Sequence, residues 1–199
     1  MADFKTASTV GARIAAIRKA RGFVSAKALA ETIPGESITD SILRNIEAGR
    51  KNDLAVAQLL NLAWALRVSP LFILAPLGSP DERLDLPNII PEVQDLTTGE
   101  FDAWVSGDTT GIYRPVTTDE MSERIQLEAL HELLRTRREV TRLGTMMTLK
   151  AELPESLAGE SGALRWNDTE QQLAAAQRRI VELETLLASG GWQIGSSED

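Results

Sequence analysis

The sequence of 199 residues contains no cysteine and a single histidine, His131. Without cysteine there is no disulfide framework, no thiol nucleophile and no zinc–thiolate site. One histidine is too few for a histidine-based metal centre, and we interpret it as a solvated helix residue. The chain also lacks a phosphate-binding glycine loop, a metal-ligand cluster and a nucleophile spaced to meet a base. We therefore expect no catalytic site, no metal and no cofactor, and predict that the protein is not an enzyme.

Aromatic residues are scarce, at 5%, and the basic, amphipathic N-terminal stretch contains no unbroken apolar run. This pattern indicates neither a signal peptide nor a membrane span, so we expect a cytoplasmic protein with no membrane partner. An apolar fraction of 43% with 25% charged residues is ordinary for a soluble, folded chain. The length allows one or two compact domains.

The net charge of −8 argues at first sight against nucleic acid as a partner. Residues 1–80, however, contain ten basic and six acidic side chains, a net charge of +4, which leaves −12 on residues 81–199. Prolines punctuate residues 70–91, where this change of sign occurs. We predict a first domain over residues 1–80, a linker with a small helical segment over 81–116, and a helical region over 117–199 that ends in a disordered tail.

Five short helices are predicted in the first domain from apolar spacing, capping residues and glycine or proline stops. The first begins near Val10 and stops at Gly22. The second, third and fourth helices are expected to begin after the capping residues Ser25, Thr39 and Asp53, and the fifth at the pair Ser69-Pro70. We place Pro34-Gly35 after the second helix and Gly49 after the third. Trp64 and Phe72 occupy apolar helical positions, and we expect both in the core.

Three strings in this region carry a family resemblance: Leu29-Ala30, the heptapeptide LRNIEAG at residues 43–49 and LRVSPLFIL at residues 66–74. Together they resemble the lambda-repressor-like Cro/C1-type (XRE family) helix-turn-helix domain over residues 10–75. The resemblance implies an all-α chain with a five-helix DNA-binding domain, followed by an acidic helical dimerisation region. Two departures from the family pattern are Ala26, where glutamine is frequent, and a longer turn over residues 34–38.

The third helix would be the recognition helix, with its N-terminal turn directed into the major groove of double-stranded DNA. If Leu43 and Ile46 point inward, the outward face carries the candidate base-reading residues Asp40, Ser41, Arg44 and Asn45. The candidate phosphate-contacting residues flank it: Ser25, Lys27, Thr39, Arg50, Lys51 and Asn52. The resemblance further implies that Arg18 pairs with Glu47 as a partly buried structural link between the first and third helices.

Residues 95–107 allow two interpretations. Thr97 and Glu100 form a capping-box pattern that favours a short helix ending at Gly107. The alternative is a hairpin in which FDAWV pairs with IYRPV, and it is less favoured because Pro115 would have to lie on an edge strand.

A second capping-box pattern, Thr117 with Glu120, predicts a long helix that runs towards Lys150 and carries a broad apolar stripe. Asn167 and Glu170 are expected to open a last helix, closed by Gly190-Gly191, with a short heptad seam. This coiled-coil-like helix could fold back on the long helix through a loop at 154–165 or pair with its copy in a second subunit. Arg135, Arg137 and Arg138 are expected to form ion pairs within the long helix. The residues expected to support a homodimer are Ile125, Leu130, Leu134, Leu173, Ile180, Leu183 and Leu187.

Two functions remain open at this point. The first is a sequence-specific transcriptional regulator, a repressor of the phage or mobile-element type that binds a pseudo-palindromic operator as a homodimer. The second is an antitoxin-like module, whose C-terminal helices bind a partner protein while the N-terminal domain autoregulates.

Overall fold

The computed structural model describes residues 3–109, 111–152 and 160–195, and for residues 150–152 and 160–167 it describes the backbone alone. Over these ranges the chain is all-helical, as predicted, and the only extended pairing is an isolated antiparallel bridge between Arg83 and Thr97. The helices are α1 Val10–Ala20, α2 Ala26–Ala30, α3 Asp40–Glu47, α4 Val56–Leu66, α5 Leu71–Leu74, α6 Pro91–Gln94, α7 Thr98–Ser106, α8 Thr118–Glu152 and α9 Glu160–Ser189. In the described residues, none of the helices combines the length and the apolar character that crossing a membrane requires.

The chain divides into two compact units, Met1–Arg114 and Pro115–Asp199. The first unit therefore extends beyond residue 80 and includes almost all of the stretch that we expected to be a linker. Leu84 and Phe101 are buried together with Ala75 in a small apolar cluster. Backbone hydrogen bonds from Leu84 N to Leu96 O and from Thr98 N to Glu82 O hold this stretch in place.

Side-chain caps define the starts of the first helices. The hydroxyl of Thr9 accepts a hydrogen bond from Ala12 N at 3.1 Å, that of Ser25 from Ala28 N at 3.1 Å, and that of Thr39 from Ile42 N at 3.2 Å. Each such cap satisfies an amide that the helix itself leaves without a partner. Gly49 follows α3 with φ of 68°, a conformation that glycine adopts without strain.

The predictions for α4 were wrong in two respects. Asp53 does not cap the helix: the N-cap is Ala55, and the carboxylate of Asp53 instead accepts a hydrogen bond from the side-chain amide of Asn88 at 2.7 Å. Trp64 is not a core residue, since 74% of it is exposed. The helix is apolar on nearly all sides, so periodicity could not show which side faces the core.

The helix interpretation of residues 95–107 is confirmed. Thr97 and Glu100 form a complete capping box, with Glu100 N donating to Thr97 Oγ1 at 3.2 Å and Thr97 N donating to Glu100 Oε2 at 2.8 Å. Gly107 ends α7 in the left-handed conformation, with φ of 73°. Local capping thus decided between helix and hairpin.

The second unit is an antiparallel pair of long helices. Gln126, early in α8, accepts a hydrogen bond from Trp192 just after α9, whereas Arg137 further along α8 pairs with Glu184 at 2.7 Å. Of the two arrangements that the sequence left open, the structure has the one in which α9 folds back on α8 within the chain. The expected loop begins at Pro154, but residues 153–159 lie outside the described residues, as does the tail after Gly195.

Two details of this hairpin differ from expectation. The last helix begins at Glu160, so Asn167 lies inside α9 and does not open it. Arg137 pairs across to Glu184 of α9, not along its own helix, because its position on α8 faces the neighbouring helix. Arg142, in contrast, pairs within α8 with Glu139 at 2.5 Å.

The seven residues predicted for dimerisation occupy different environments. Leu183 and Leu187 are buried against Ala129 and Leu133 of the same chain, and Leu130 and Ile180 pack on that cluster. Leu173 is half-buried. Ile125 and Leu134 remain 48% and 43% exposed. The heptad seam of α9 therefore packs against α8 of the same chain, whereas Ile125 and Leu134 of α8 remain accessible to a partner.

Candidate nucleic-acid interface

The candidate interface is formed by α2, the turn after it and α3, and the apolar core fixes its geometry. Leu29 of α2, Ile38 of the turn, and Leu43 and Ile46 of α3 are all at most 2% exposed. A side chain at Gly11 of α1 would overlap the carbonyl oxygen of Ile46, so α1 and α3 are in direct backbone contact. Such close packing gives α3 little freedom to rotate about its axis.

The outward face of α3 is polar, as the spacing predicted. Ser41 and Arg44 are exposed, and Asp40 and Asn45 are partly exposed on its flanks. All four lie within the first two turns, where a recognition helix contacts base edges. Serine, arginine and asparagine side chains can each bond to base edges in the major groove.

Arg44 is not free on this face, because it forms an ion pair with Asp40 one turn earlier. Arg44 Nε donates to Asp40 Oδ1 at 2.8 Å, and a second nitrogen of the guanidinium donates to Oδ2. The hydrogen bonds from Arg44 hold the pKa of Asp40 below its ordinary value, and the same contact raises the pKa of Arg44. Both groups are charged at neutral pH. Any contact of Arg44 with a base or phosphate must therefore compete with this carboxylate.

The candidate phosphate-contacting residues differ in how exposed their side chains are and in which partners these already have. The hydroxyls of Ser25 and Thr39 are used as helix caps, which leaves their oxygens engaged by backbone amides. Lys27 is exposed and only loosely paired with Glu31, at 3.8 Å. Arg50 and Asn52 are also exposed.

Lys51 differs from these residues because it is only partly exposed. It lines a recess of about 260 Å³ that Asn52 and Asp85 also line. Its partial burial makes Lys51 less accessible to a phosphate than the exposed Lys27 and Arg50. We therefore expect Lys27 and Arg50 to be better placed for phosphate than Lys51.

The ion pair implied between Arg18 and Glu47 is present. Arg18 Nε donates to Glu47 Oε1 at 2.6 Å and its NH2 group donates to Oε2 at 2.9 Å, while NH1 donates to the carbonyl of Phe23 at 2.8 Å. The Arg18 side chain is 7% exposed and that of Glu47 14%. The hydrogen bonds that Arg18 donates to Glu47 raise the pKa of Arg18 against the opposing effect of burial. This bidentate contact joins α1 to the last turn of α3.

Sequence reasoning missed Arg13, which is fully buried in the same domain. Its guanidinium donates to the carbonyls of Ala7, Ile73 and Leu74 at 2.8–2.9 Å and pairs with Asp85 at 2.9 Å. It thereby connects the start of α1, the end of α5 and the segment after residue 80. The available signal was its register, since Arg13 falls on the same side of α1 as the buried residues Val10 and Ile17.

In the described part of the chain, no three His, Cys, Asp or Glu side chains are grouped as a metal site would require. Comparison of the chain with protein-family models, with curated proteins and with solved structures finds no match. The geometry of this chain is therefore the only basis for a proposed function. That geometry defines an all-helical protein of two compact units, the first of which presents a short, polar, firmly anchored helix.

Proposed function

We propose that the protein is a sequence-specific DNA-binding transcriptional regulator, a repressor of the phage or mobile-element type. The observation that carries this proposal is the rigid attachment of α3, whose polar outward face is set against a buried inner face. Arg18 and Glu47 hold its last turn, the Thr39 cap holds its first, and Leu43 and Ile46 anchor it to the core. A helix held in this way can present the same side chains to the major groove at each encounter.

In this proposal Asn45 and Arg44 read bases, with Ser41 beside them. Arginine and asparagine each contribute about 1–3 kcal/mol of discrimination when they pair bidentately with guanine and adenine. Arg44 must exchange the carboxylate of Asp40 for its DNA partner, and Asp40 would then accept from a cytosine or repel phosphate. The net charge of +4 on residues 1–80 attracts DNA. Residues 81–114 carry −6 and the second unit, residues 115–199, carries another −6, which disfavours contact of these parts with phosphates.

The test is a comparison of binding to a selected operator and to random duplex. Asn45→Ala and Arg44→Ala should each weaken operator binding about tenfold or more while affecting random duplex less. Lys19→Ala, at an exposed basic residue of α1, serves as a matched control. Equal losses on both DNAs would show that Asn45 and Arg44 do not read bases, and no binding to any duplex would refute the proposal.

We further propose that the regulator acts as a homodimer through the second unit. The outer residues of the helix pair remain apolar and accessible, with Met121, Ile125, Leu134, Val181 and Leu186 each at least 40% exposed. Burying some of these side chains against a second copy would form a helical bundle and place two α3 helices on one operator. Deletion of residues 117–199 should leave operator binding weak, and undiminished affinity would contradict the dimer.

The same exposed residues favour a second candidate function, in which the helix pair binds a different protein in the manner of an antitoxin. Sedimentation of the purified chain separates the two. A stable dimer supports self-association through the helix pair, whereas a monomer supports a partner protein of another kind.

A further inference from the structure

The outer face of α4 carries an exposed apolar row that the proposed DNA contacts do not use. Val56, Leu60 and Trp64 are 73%, 51% and 74% exposed. Their spacing of four residues places them one above another along the helix. The opposite side of α4 is buried in the core through Leu62 and Leu66. Single exposed apolar side chains are normal on a protein surface, but an aligned row of them is typical of an interaction surface.

Opposite charges bound this row at its two ends. Asp53 lies three residues before Val56, and Arg67 lies three residues after Trp64. Residues 54–66 between them contain no charged side chain. The guanidinium of Arg67 lies 5.1 Å from the centre of the Trp64 ring, so the positive end of the row is directly beside its largest apolar residue.

The row is also firmly positioned. Gln58 and Asn61 of α4 donate hydrogen bonds to the backbone and hydroxyl oxygens of Ser37 at 2.8 and 3.1 Å. These contacts attach α4 to the turn before α3. A surface on a fixed helix loses little conformational freedom when it binds.

We infer that the outer face of α4 is a surface on which a second copy of this chain docks, with the two helices antiparallel. Leu60 is the centre of the row in sequence, since Val56 and Trp64 lie four residues to either side of it and Asp53 and Arg67 seven. A two-fold axis through Leu60 places Leu60 against its copy and Val56 against Trp64 of the partner subunit. It also brings the acidic end of the row, where Asp53 lies in the segment before α4, to the basic end of the partner subunit, where Arg67 lies. Both charge contacts are then attractive, as a self-complementary two-fold interface requires. A parallel arrangement would oppose like charges at both ends.

Three side chains cover much less than the area of a stable interface, so this contact is weak alone. It operates when two first units are already close together, because the effective concentration is then high. In the protein alone this proximity rests on the proposed homodimer of the second unit, which sedimentation tests separately. The contact does not require DNA, so its own test uses protein alone.

The absence of cysteine makes a direct test available, because a single introduced cysteine is the only thiol in the chain. Leu60→Cys places one thiol on the proposed two-fold axis. Under mild oxidation of the full-length protein it should form a covalent dimer about tenfold faster than Lys19→Cys, a control at an exposed position of α1. Both positions are accessible and neither belongs to the core. Equal rates for the two variants would overturn the inference.

Mixing tests the antiparallel register. Val56→Cys and Trp64→Cys should each crosslink slowly alone, whereas an equimolar mixture should form the mixed dimer rapidly. Fast crosslinking of each variant with itself, or no gain on mixing, would rule out the two-fold arrangement about Leu60.

The charge contact has its own test in the Leu60→Cys background. Arg67→Glu should slow crosslinking, because it places two acidic groups against each other, and adding Asp53→Lys should restore the rate. Adding Asp53→Lys removes the Asp53–Asn88 hydrogen bond, so recovery of the crosslinking rate cannot come from repair of the fold. Failure to recover would overturn the proposed pairing of Asp53 with Arg67.

Discussion

Replacement of Glu47 by alanine should destabilise the first unit strongly and change sequence preference little. Three hydrogen bonds hold the guanidinium of Arg18, two of them to Glu47. Without Glu47, the Arg18 Nε and NH2 groups keep no carboxylate partner in a site where the arginine side chain is only 7% exposed. Breaking a buried ion pair costs about 3–5 kcal/mol. The 14% exposure of Glu47 lets water reach the site, so we expect the lower end, about 3 kcal/mol.

The assay is scanning calorimetry of the full-length chain, combined with hydrogen exchange of the peptides that contain α1 and α3. A loss of about 3 kcal/mol should lower the melting temperature of the first unit by about 10 °C or more. The second unit should melt unchanged, since neither Arg18 nor Glu47 belongs to it. Binding to operator and to random duplex, measured well below the melting temperature, should keep the same ratio.

The matched control replaces both partners with apolar residues of similar length, Arg18→Met with Glu47→Leu. This double variant should recover most of the stability lost in Glu47→Ala, because it leaves no buried charge without a partner. A loss below about 1 kcal/mol in Glu47→Ala, or a double variant no more stable than the single one, would refute the reasoning. A change in operator preference larger than the change in stability would show that Glu47 contacts DNA.

Three further outcomes are expected. Arg13→Ala should destabilise the first unit by about 3–5 kcal/mol in the same calorimetric assay, because three backbone carbonyls and the carboxylate of Asp85 lose a fully buried partner. Thr97→Ala should cost about 1 kcal/mol by removing the cap of α7, with Thr97→Ser nearly neutral. Hydrogen bonds from Arg179 lower the pKa of Glu132, so the helix pair should lose stability as pH falls through that lowered pKa, and Glu132→Gln should reduce this pH dependence in circular-dichroism melts.

A different result would contradict each of these three predictions. If Arg13→Ala does not change the melting temperature, the carbonyl groups that Arg13 contacts must be solvated in solution. Equal effects of Thr97→Ala and Thr97→Ser would show that the hydroxyl does not cap α7. An unchanged acid melt of Glu132→Gln would show that the Glu132–Arg179 contact does not persist in water.

Local sequence signals predicted the starts of several helices correctly. The caps Ser25, Thr39 and Thr97 are present as expected, and the last of these decided between a helix and a hairpin. A cap depends on a side chain and on amides two or three residues away, so it can be identified without knowledge of the rest of the fold.

Structural features that depend on residues distant in the sequence were harder to predict. Trp64 was expected in the core and is exposed, because α4 is apolar on several sides and only its neighbours determine which side is buried. Arg137 was expected to pair along its own helix and pairs with Glu184 on α9. Arg13 was overlooked because three of its four partners, Ile73, Leu74 and Asp85, lie about sixty to seventy residues away in the chain.

The sequence by itself determined the helical class, the polar outward face of α3, the separation of charge and the identity of most caps, since all of these depend on residue type at short spacing. Tertiary structure alone decided which side of α4 meets the core, that α9 folds back on α8, and that residues 81–114 belong to the first unit. These outcomes depend on burial of apolar area between segments distant in sequence, where several arrangements satisfy the same local pattern and packing selects one of them.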